Sequence, residues 1–280
     1  MTVATATPVT GTVTTTLGSG PSTVEYLVSG TGPGVLLVHG TGADALTNWA
    51  PLTEAIADRF TVVAVNLSGA GATTDSGAPL TVDDLAGQAI AAAGAAGLTD
   101  YHIVGHSLGA VVGTAVAARR PEAARSLVTH GGWVTTDPRS AFQFDLWGRL
   151  LRTDKDLLAR LLQLTVFSQE ALASLDTDGL RAAAEGFTAM LDERIDRQVD
   201  LDARVDISAL LPAVQAPTLV IASTDDQIVP IAHQRALAAG ITGAEYVEVR
   251  GGHALPFENP VLFADTIAGF LDRQQHTHRA

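Results

Sequence analysis

The sequence predicts an α/β protein: a mostly parallel central sheet covered by helices on both faces, interrupted by a block of helices. Three observations carry that prediction. Short apolar runs of strand length alternate with helical patterns through most of the 280 residues, the pattern of βα units joined by right-handed crossovers. Between about Trp133 and about Leu211 the alternation stops, no strand candidate occurs, and leucines recur at helical spacing. Finally, Gly105-His106-Ser107-Leu108-Gly109 joins an apolar strand directly to a helix, and such a turn pushes its serine out at the end of a sheet.

The elements follow in order. Gly11–Leu17 and Thr23–Val28 are rich in Thr and Val and flank Gly18-Ser19-Gly20-Pro21, as in an antiparallel opening pair. Val35–Val38 is short and wholly apolar, so it reads as a strand buried on both faces. Trp49–Asp58 is a helix, Thr61–Val65 a strand, and Val82–Ala96 a helix opened by Thr81 with Asp84 three residues on, a capping-box pattern. Tyr101–Val104 and Val111–Arg119 repeat the strand and helix, and Ser126–Thr129 is the next strand. After the helical block come strand Pro217–Ala222, helix Ile231–Ala239, strand Glu245–Val249 and helix Pro260–Arg273. The division expected is a core in two parts, residues 1–132 and 212–280, with a helical cap at 133–211 lying over the carboxyl ends of the strands. The first few residues and the tail from His276 to Ala280 read as disordered.

Composition narrows the function. With 46% apolar and 17% charged residues the chain can bury a large core. A net charge of −13 leaves no basic surface for nucleic acid or an anionic membrane. Cysteine is absent, which removes disulfides, thiolate catalysis and cysteine-ligated metals. The apolar stretch Leu108–Ala118 is too short to span a membrane, and the first residues lack the basic and apolar regions of a secretory signal. A cytoplasmic enzyme acting on a small molecule is expected, with no metal and no cofactor: no H-E-x-x-H, P-loop or G-x-G-x-x-G pattern occurs.

With Ser107 on a strand-to-helix turn, an acid and then a histidine are expected after later strands. Thr218–Ala222 runs into Asp225-Asp226, and Tyr246–Val249 runs into Gly251-Gly252-His253. Together with Leu36-Leu37-Val38-His39-Gly40-Thr41, Asp226-Gln227-Ile228-Val229-Pro230 and Glu258-Asn259-Pro260, these motifs make the chain resemble the α/β-hydrolase fold family along essentially its whole length. The resemblance implies Ser107 as nucleophile, His253 as base and Asp226, rather than its neighbour Asp225, as the acid. It also implies an oxyanion hole from the backbone N–H groups of Thr41 and Leu108. The Thr41 hydroxyl is expected to be solvated or bonded to backbone. His39 and His106 would shape turns or line the pocket; His102, His130 and His233 would be structural or surface residues.

One segment departs from the family. Asn66-Leu67-Ser68-Gly69-Ala70-Gly71-Ala72-Thr73 lacks the arginine and acid that relatives often carry there, so no substrate contact is carried over to it. Trp133, Phe142, Phe144, Trp147, Phe167 and Phe187 in the helical block either pack it onto the sheet or line an apolar pocket. Arg139, Arg149 and Arg152 could meet a carboxylate, but a solvated helix face is the preferred reading for each. The function expected is a serine hydrolase that cleaves an ester, thioester, lactone or activated C–C bond of a hydrophobic small molecule through an acyl-enzyme. Its rivals are a cofactor-free perhydrolase resembling non-haem haloperoxidases, a cyclase or lyase of small-molecule biosynthesis, and a non-catalytic ligand-binding protein.

Overall fold

The opening Thr/Val-rich stretch folds back on itself. In the computed structural model, which describes residues 8–277, β1 (Val9–Leu17) and β2 (Gly20–Ser29) pair antiparallel with Leu17 opposite Gly20. The turn is therefore the two residues Gly18-Ser19, shorter than the four-residue separator expected. Pro21 can stand inside β2 because the strand on β2's other side pairs only with Tyr26–Ser29, leaving no demand for the missing N–H. Residues 1–7 and 278–280, which hold most of the two tails expected to be disordered, lie outside the described residues; the backbone of 276 and 277 continues the last helix.

Strands and helices then alternate: β3 (Gly34–Val38), α1 (Ala45–Ile56), β4 (Thr61–Val65), α2 (Val82–Ala95), β5 (Tyr101–His106), α3 (Leu108–Arg119) and β6 (Ala124–His130). The next stretch holds α4 (Pro138–Thr153), α5 (Lys155–Val166), α6 (Gln169–Ala173), α7 (Thr177–Met190) and α8 (Asp196–Asp202). The alternation resumes with β7 (Thr218–Ser223), α9 (Ile231–Gly240), β8 (Glu245–Val249), α10 (Leu255–Glu258) and α11 (Pro260–Thr277). The eight strands form one sheet in the order β1-β2-β4-β3-β5-β6-β7-β8. β3 to β8 run parallel, and β1 and β2 are the antiparallel edge.

The period of two along each strand divides the core into two layers. Leu36, Val38, Val63, Val65, Ile103 and Leu127 pack with Leu85, Ala89, Val112 and Val116 of α2 and α3. Their neighbours Val35, Leu37, Val62, Ala64, Val104 and Val128 turn to the other face, against Trp49 and Ile56 of α1 and Phe263, Ile267 and Phe270 of α11. α3 is apolar all round and buried along nearly its whole length, as a helix enclosed on every side must be.

Capping fixes where the helices begin. Thr81 accepts the Asp84 N–H, but Asp84 does not complete the expected box; it takes the Thr81 hydroxyl at 2.8 Å and the Ser19 N–H of the β1–β2 turn at 3.2 Å. A full capping box stands instead at Asp44 and Thr47, opening α1. Between β6 and β7 the described residues form helices and 3-10 turns with no strand, apart from one isolated bridge, Thr135 to Asp206.

Candidate active site

The Gly105–Gly109 pentapeptide closes the end of β5 so tightly that its glycines are obligatory. A Cβ on Gly105 would lie 2.2 Å from the Gly109 carbonyl oxygen, and one on Gly109 would lie 1.9 Å from that of Val38. Ser107 between them takes φ 55° and ψ −123°, and among the described residues it is the only non-glycine with positive φ. Backbone strain of this kind costs on the order of 1–3 kcal/mol and persists where the surroundings over-determine it. Here the Ser107 N–H is tied to the His130 carbonyl at 2.8 Å.

Two later strand ends deliver partners to that hydroxyl. His253 follows β8, and its Nε2 accepts the Ser107 Oγ–H at 2.8 Å. Its Nδ1–H donates to Asp226 Oδ2, also at 2.8 Å. Asp226, in the turn after β7, is in turn fixed by the N–H groups of Ile228 and Val229, which donate to Oδ1 at 2.9 and 2.8 Å, and by Gln234 Nε2 on Oδ2 at 3.3 Å. The sequence-nominated serine, histidine and aspartate thus form one hydrogen-bonded line, each member at most 9% exposed. Adjacent Asp225 faces solvent.

The His39-Gly40-Thr41 loop lies against this line. A Cβ on Gly40 would come 2.9 Å from Ser107 Cβ, so only glycine lets the backbone approach. His39 does not line the cavity, contrary to its nomination as a pocket residue. It is wholly buried, its Nδ1–H donates to the Gly40 carbonyl at 2.8 Å, and its Nε2 accepts the Leu67 N–H at 3.0 Å. Burial lowers its pKa, which suits a neutral ring with one donor and one acceptor. Because a peptide is planar, holding the Gly40 C=O also fixes the direction of the Thr41 N–H. That N–H has no protein acceptor among the described residues, and the Leu108 N–H, in the first turn of α3, has no intrahelical one.

The Thr41 hydroxyl is bonded to a side chain, not to the expected backbone or solvent alone. It donates to Asp202 Oδ2 of α8 at 2.6 Å, and an acceptor 161 positions away leaves no trace in local sequence. Asp202 is 1% exposed, and its other oxygen, Oδ1, is buried without a partner. Burial pushes its pKa up to about 8.

Above the line lies a cavity of about 260 Å³. Its polar floor is Thr41, Asn48, His106, Ser107, Asp202 and His253. Five residues offered for a pocket from the sequence line it: His106, Phe144, Trp147, Phe167 and Phe187. Besides His39, Trp133 and Phe142 do not. Trp133 packs against Phe144 and donates its indole N–H to Thr136. Phe142 sits on the outer face of α4 at 76% exposure, because two residues from Phe144 is about 200° around a helix. Phe187 and Met190 of α7, Leu158 and Leu162 of α5, and Phe257 complete the walls. Phe187 meets Phe167 edge-on at 6.2 Å.

Among the described residues no Lys or Arg stands in the wall. Arg139 donates to the Gln227 carbonyl, Arg149 pairs with Asp145 and Arg152 with Asp196, so the solvated-face reading holds for all three. His106 donates from Nε2 to the His253 carbonyl at 3.1 Å. Burial, then the nearby His253, drives its pKa down to about 3, so it remains a neutral prop. His130, stacked on it, is shifted the same way by burial. His102 is buried and joined to Ser126, and His233 meets Asp137. Among the described residues no three His, Asp or Glu side chains gather to hold a metal ion, and no helix is long and apolar enough to cross a membrane. In the divergent 66–73 loop, Asn66 takes a structural part, accepting the Ala45 N–H and donating to Glu25.

Comparison with known proteins agrees with this architecture. The sequence pattern of a family described as the alpha/beta hydrolase fold matches residues 33–260. The chain is 39% identical over 254 residues to pyrrolizixenacetamide deacetylase of Xenorhabdus hominickii, covering 90% of this chain and 96% of that protein. It is 30% identical over 259 residues to a protein of Azorhizobium caulinodans provisionally named carbamate hydrolase RutD, with the same coverage. Among solved structures, a thermophilic esterase from Thermogutta terrifontis superposes with a TM-score of 0.82 at 24% identity, over 96% of this chain and 99% of that one.

Proposed function

Since the chain belongs to the α/β-hydrolase fold family and is a hydrolase, we propose that Ser107, His253 and Asp226 are its catalytic triad. They would remove an acyl group from a neutral, largely apolar ester or amide. The observation that carries this reading is the unbroken line of hydrogen bonds from Ser107 Oγ through His253 to Asp226. His253 takes the serine proton as Oγ attacks the carbonyl carbon. Asp226 holds the imidazole with Nδ1–H towards itself and Nε2 free to accept, and steadies the imidazolium that forms.

Negative charge then develops on the carbonyl oxygen. The N–H groups of Thr41 and Leu108 are the donors proposed to meet it, the second aided by the positive end of α3. His253 passes the proton to the departing alcohol or amine, leaving Ser107 acylated, and water activated by the same histidine releases the acid. The chemistry requires only the protein's own groups and water. The named deacetylase relative extends the expected substrates from esters to amides. The walls, built from Phe144, Trp147, Phe167 and Phe187 with no cation, support an uncharged substrate. We further propose that residues 133–211 act as a cap over this site and that the enzyme works in the cytoplasm.

A fluorophosphonate probe tests the proposal. Adduct formation is expected at Ser107 and is expected to disappear in Ser107→Ala and His253→Ala. A folded wild-type protein that takes no label and turns over neither p-nitrophenyl esters nor 4-nitroacetanilide would sink it.

A further inference from the structure

Helix α8 reaches back to the loop on which the proposed reaction depends. Its residues Gln198 and Asp202, one turn apart, are 0% and 1% exposed. Gln198 spends both of its polar atoms, and Asp202 one of its oxygens, on loops outside the helix. Gln198 Oε1 accepts the Gly42 N–H at 3.0 Å while its Nε2 donates to the Ser68 carbonyl at 2.7 Å. Asp202 Oδ2 accepts the Thr41 hydroxyl at 2.6 Å. Burying an amide and a carboxyl is unfavourable unless their bonds are made, and here those bonds go to two consecutive residues of the His39–Gly42 turn.

We propose that Gln198 and Asp202 are positioning residues for the Thr41 N–H, so that the helical segment assembles the oxyanion site as well as enclosing the substrate. This inference rests on the serine-hydrolase reading. The upstream half of the turn is held by the core: Asn48 Oδ1 accepts the Gly40 N–H at 3.1 Å, and His39 holds the Gly40 carbonyl. The downstream half is closed on itself by the Ala43 N–H, which donates to the Gly40 carbonyl at 3.2 Å, and its anchor to the rest of the protein is α8. Gly42 takes φ +75°, a conformation with little intrinsic preference to hold it in glycine. Among the described residues its N–H donates to Gln198 and to no strand or core helix.

Thr41 therefore sits between a peptide fixed by the sheet side and one fixed by α8. Freed at the second point, it can tilt, and a donor displaced by a fraction of an ångström loses much of its stabilisation of a developing oxyanion. The same helical segment grips the other side of the site. The Val166 carbonyl accepts the Ala254 N–H at 2.9 Å, and Glu258 accepts both the Ser168 N–H at 2.7 Å and the Gly252 N–H at 3.2 Å.

The test uses the full chain with Gln198→Met, Thr41→Val and Thr41→Ser, assayed on p-nitrophenyl butyrate. Inhibition is measured with a trifluoromethyl ketone, which forms an oxyanion on the serine, and with the matching secondary alcohol, which fills the cavity but forms none. Gln198→Met and Thr41→Val are expected to lower kcat by about tenfold or more and to weaken the ketone by the same factor. KM and the alcohol's affinity should stay within about twofold, the signature of an interaction made only with the transition state. Thr41→Ser, which keeps the hydroxyl for Asp202, should recover most of what Thr41→Val loses, and Asp200→Asn, on the exposed face of α8, should match the wild type.

If Gln198→Met does not fold, the Val and Ser variants at position 41 decide alone. An unchanged kcat in folded Gln198→Met or Thr41→Val, or equal weakening of ketone and alcohol in them, overturns the positioning role. With an active wild type that result leaves the triad standing, whereas a wild type inert to esters and to the fluorophosphonate removes both.

Discussion

Asp202→Asn isolates the energetic cost of one buried carboxyl. In the folded protein burial pushes the Asp202 pKa up to about 8, and its single hydrogen bond to Thr41 opposes that only in part. In the unfolded chain the group reverts to its ordinary value of 3.8. Between those values the folded state keeps a proton that the unfolded state has lost. Stability must therefore fall as pH rises through this window, by about 1.4 kcal/mol per pH unit from this group alone. Below the window both states are neutral and the group contributes no slope; above it the full penalty, about 6 kcal/mol, is present. Asparagine cannot ionise, keeps an oxygen for the Thr41 hydroxyl, and shares every other titrating group. Urea unfolding of both proteins at pH 5, 6, 7 and 7.5 should thus show the variant gaining about 3 kcal/mol relative to wild type across the series. A stability difference that does not move with pH would refute the argument, because it would mean that Asp202 is charged in the fold or reached by water.

Further outcomes follow from the same geometry. Asp226→Asn should leave the fold intact and lower kcat by about 10⁴-fold, through loss of the imidazole tautomer, and a drop under tenfold in stopped-flow ester hydrolysis would contradict its assigned place. Phe187→Ala should cut kcat/KM for p-nitrophenyl decanoate about tenfold or more while sparing acetate, whereas Phe142→Ala, on the outer face of α4, should leave both within twofold; equal effects would mean the cavity walls are misassigned. Gly94→Ala, whose new Cβ meets open space in α2, should raise stability by about 0.5–1 kcal/mol, while Gly109→Ala, driven into the Val38 carbonyl, should abolish soluble expression or lower the Tm sharply.

Much of this molecule is legible where a feature is local. The Gly105–Gly109 spacing suffices to put Ser107 in a turn between β5 and α3, since Gly105 is forced by the Gly109 backbone four residues on, although Gly109 answers to the Val38 backbone of the neighbouring strand. Chain order carries Asp226 and His253 to the same place, because parallel strands end on one edge. The choice of Asp226 over Asp225 needs the family pattern, for adjacent loop residues differ only in direction. Faces of isolated helices are less legible. Leu146, Leu157 and Leu164 belong to the leucine periodicity that predicts the helical block, yet they are exposed, and Phe142 with them; periodicity gives the helix without fixing which side meets the sheet. Gln198 and Asp202 are not legible at all. In Asp196-Arg197-Gln198-Val199-Asp200-Leu201-Asp202 they resemble a solvated polar face, and only tertiary contact with Thr41 and Gly42 shows otherwise.

The cation-free wall also bears on how a catalytic cycle ends. A neutral acyl substrate of the kind proposed leaves as an acid that loses its proton at once near neutral pH. The newborn carboxylate finds apolar rings, a neutral His106 and no guanidinium or ammonium to hold it. Desolvation that an uncharged ester tolerates becomes unfavourable for its product, so the chamber that admits the substrate expels what it makes. Turnover would then be little inhibited by accumulating acid, and the reverse reaction, acyl transfer from a free carboxylate, would be starved at the binding step.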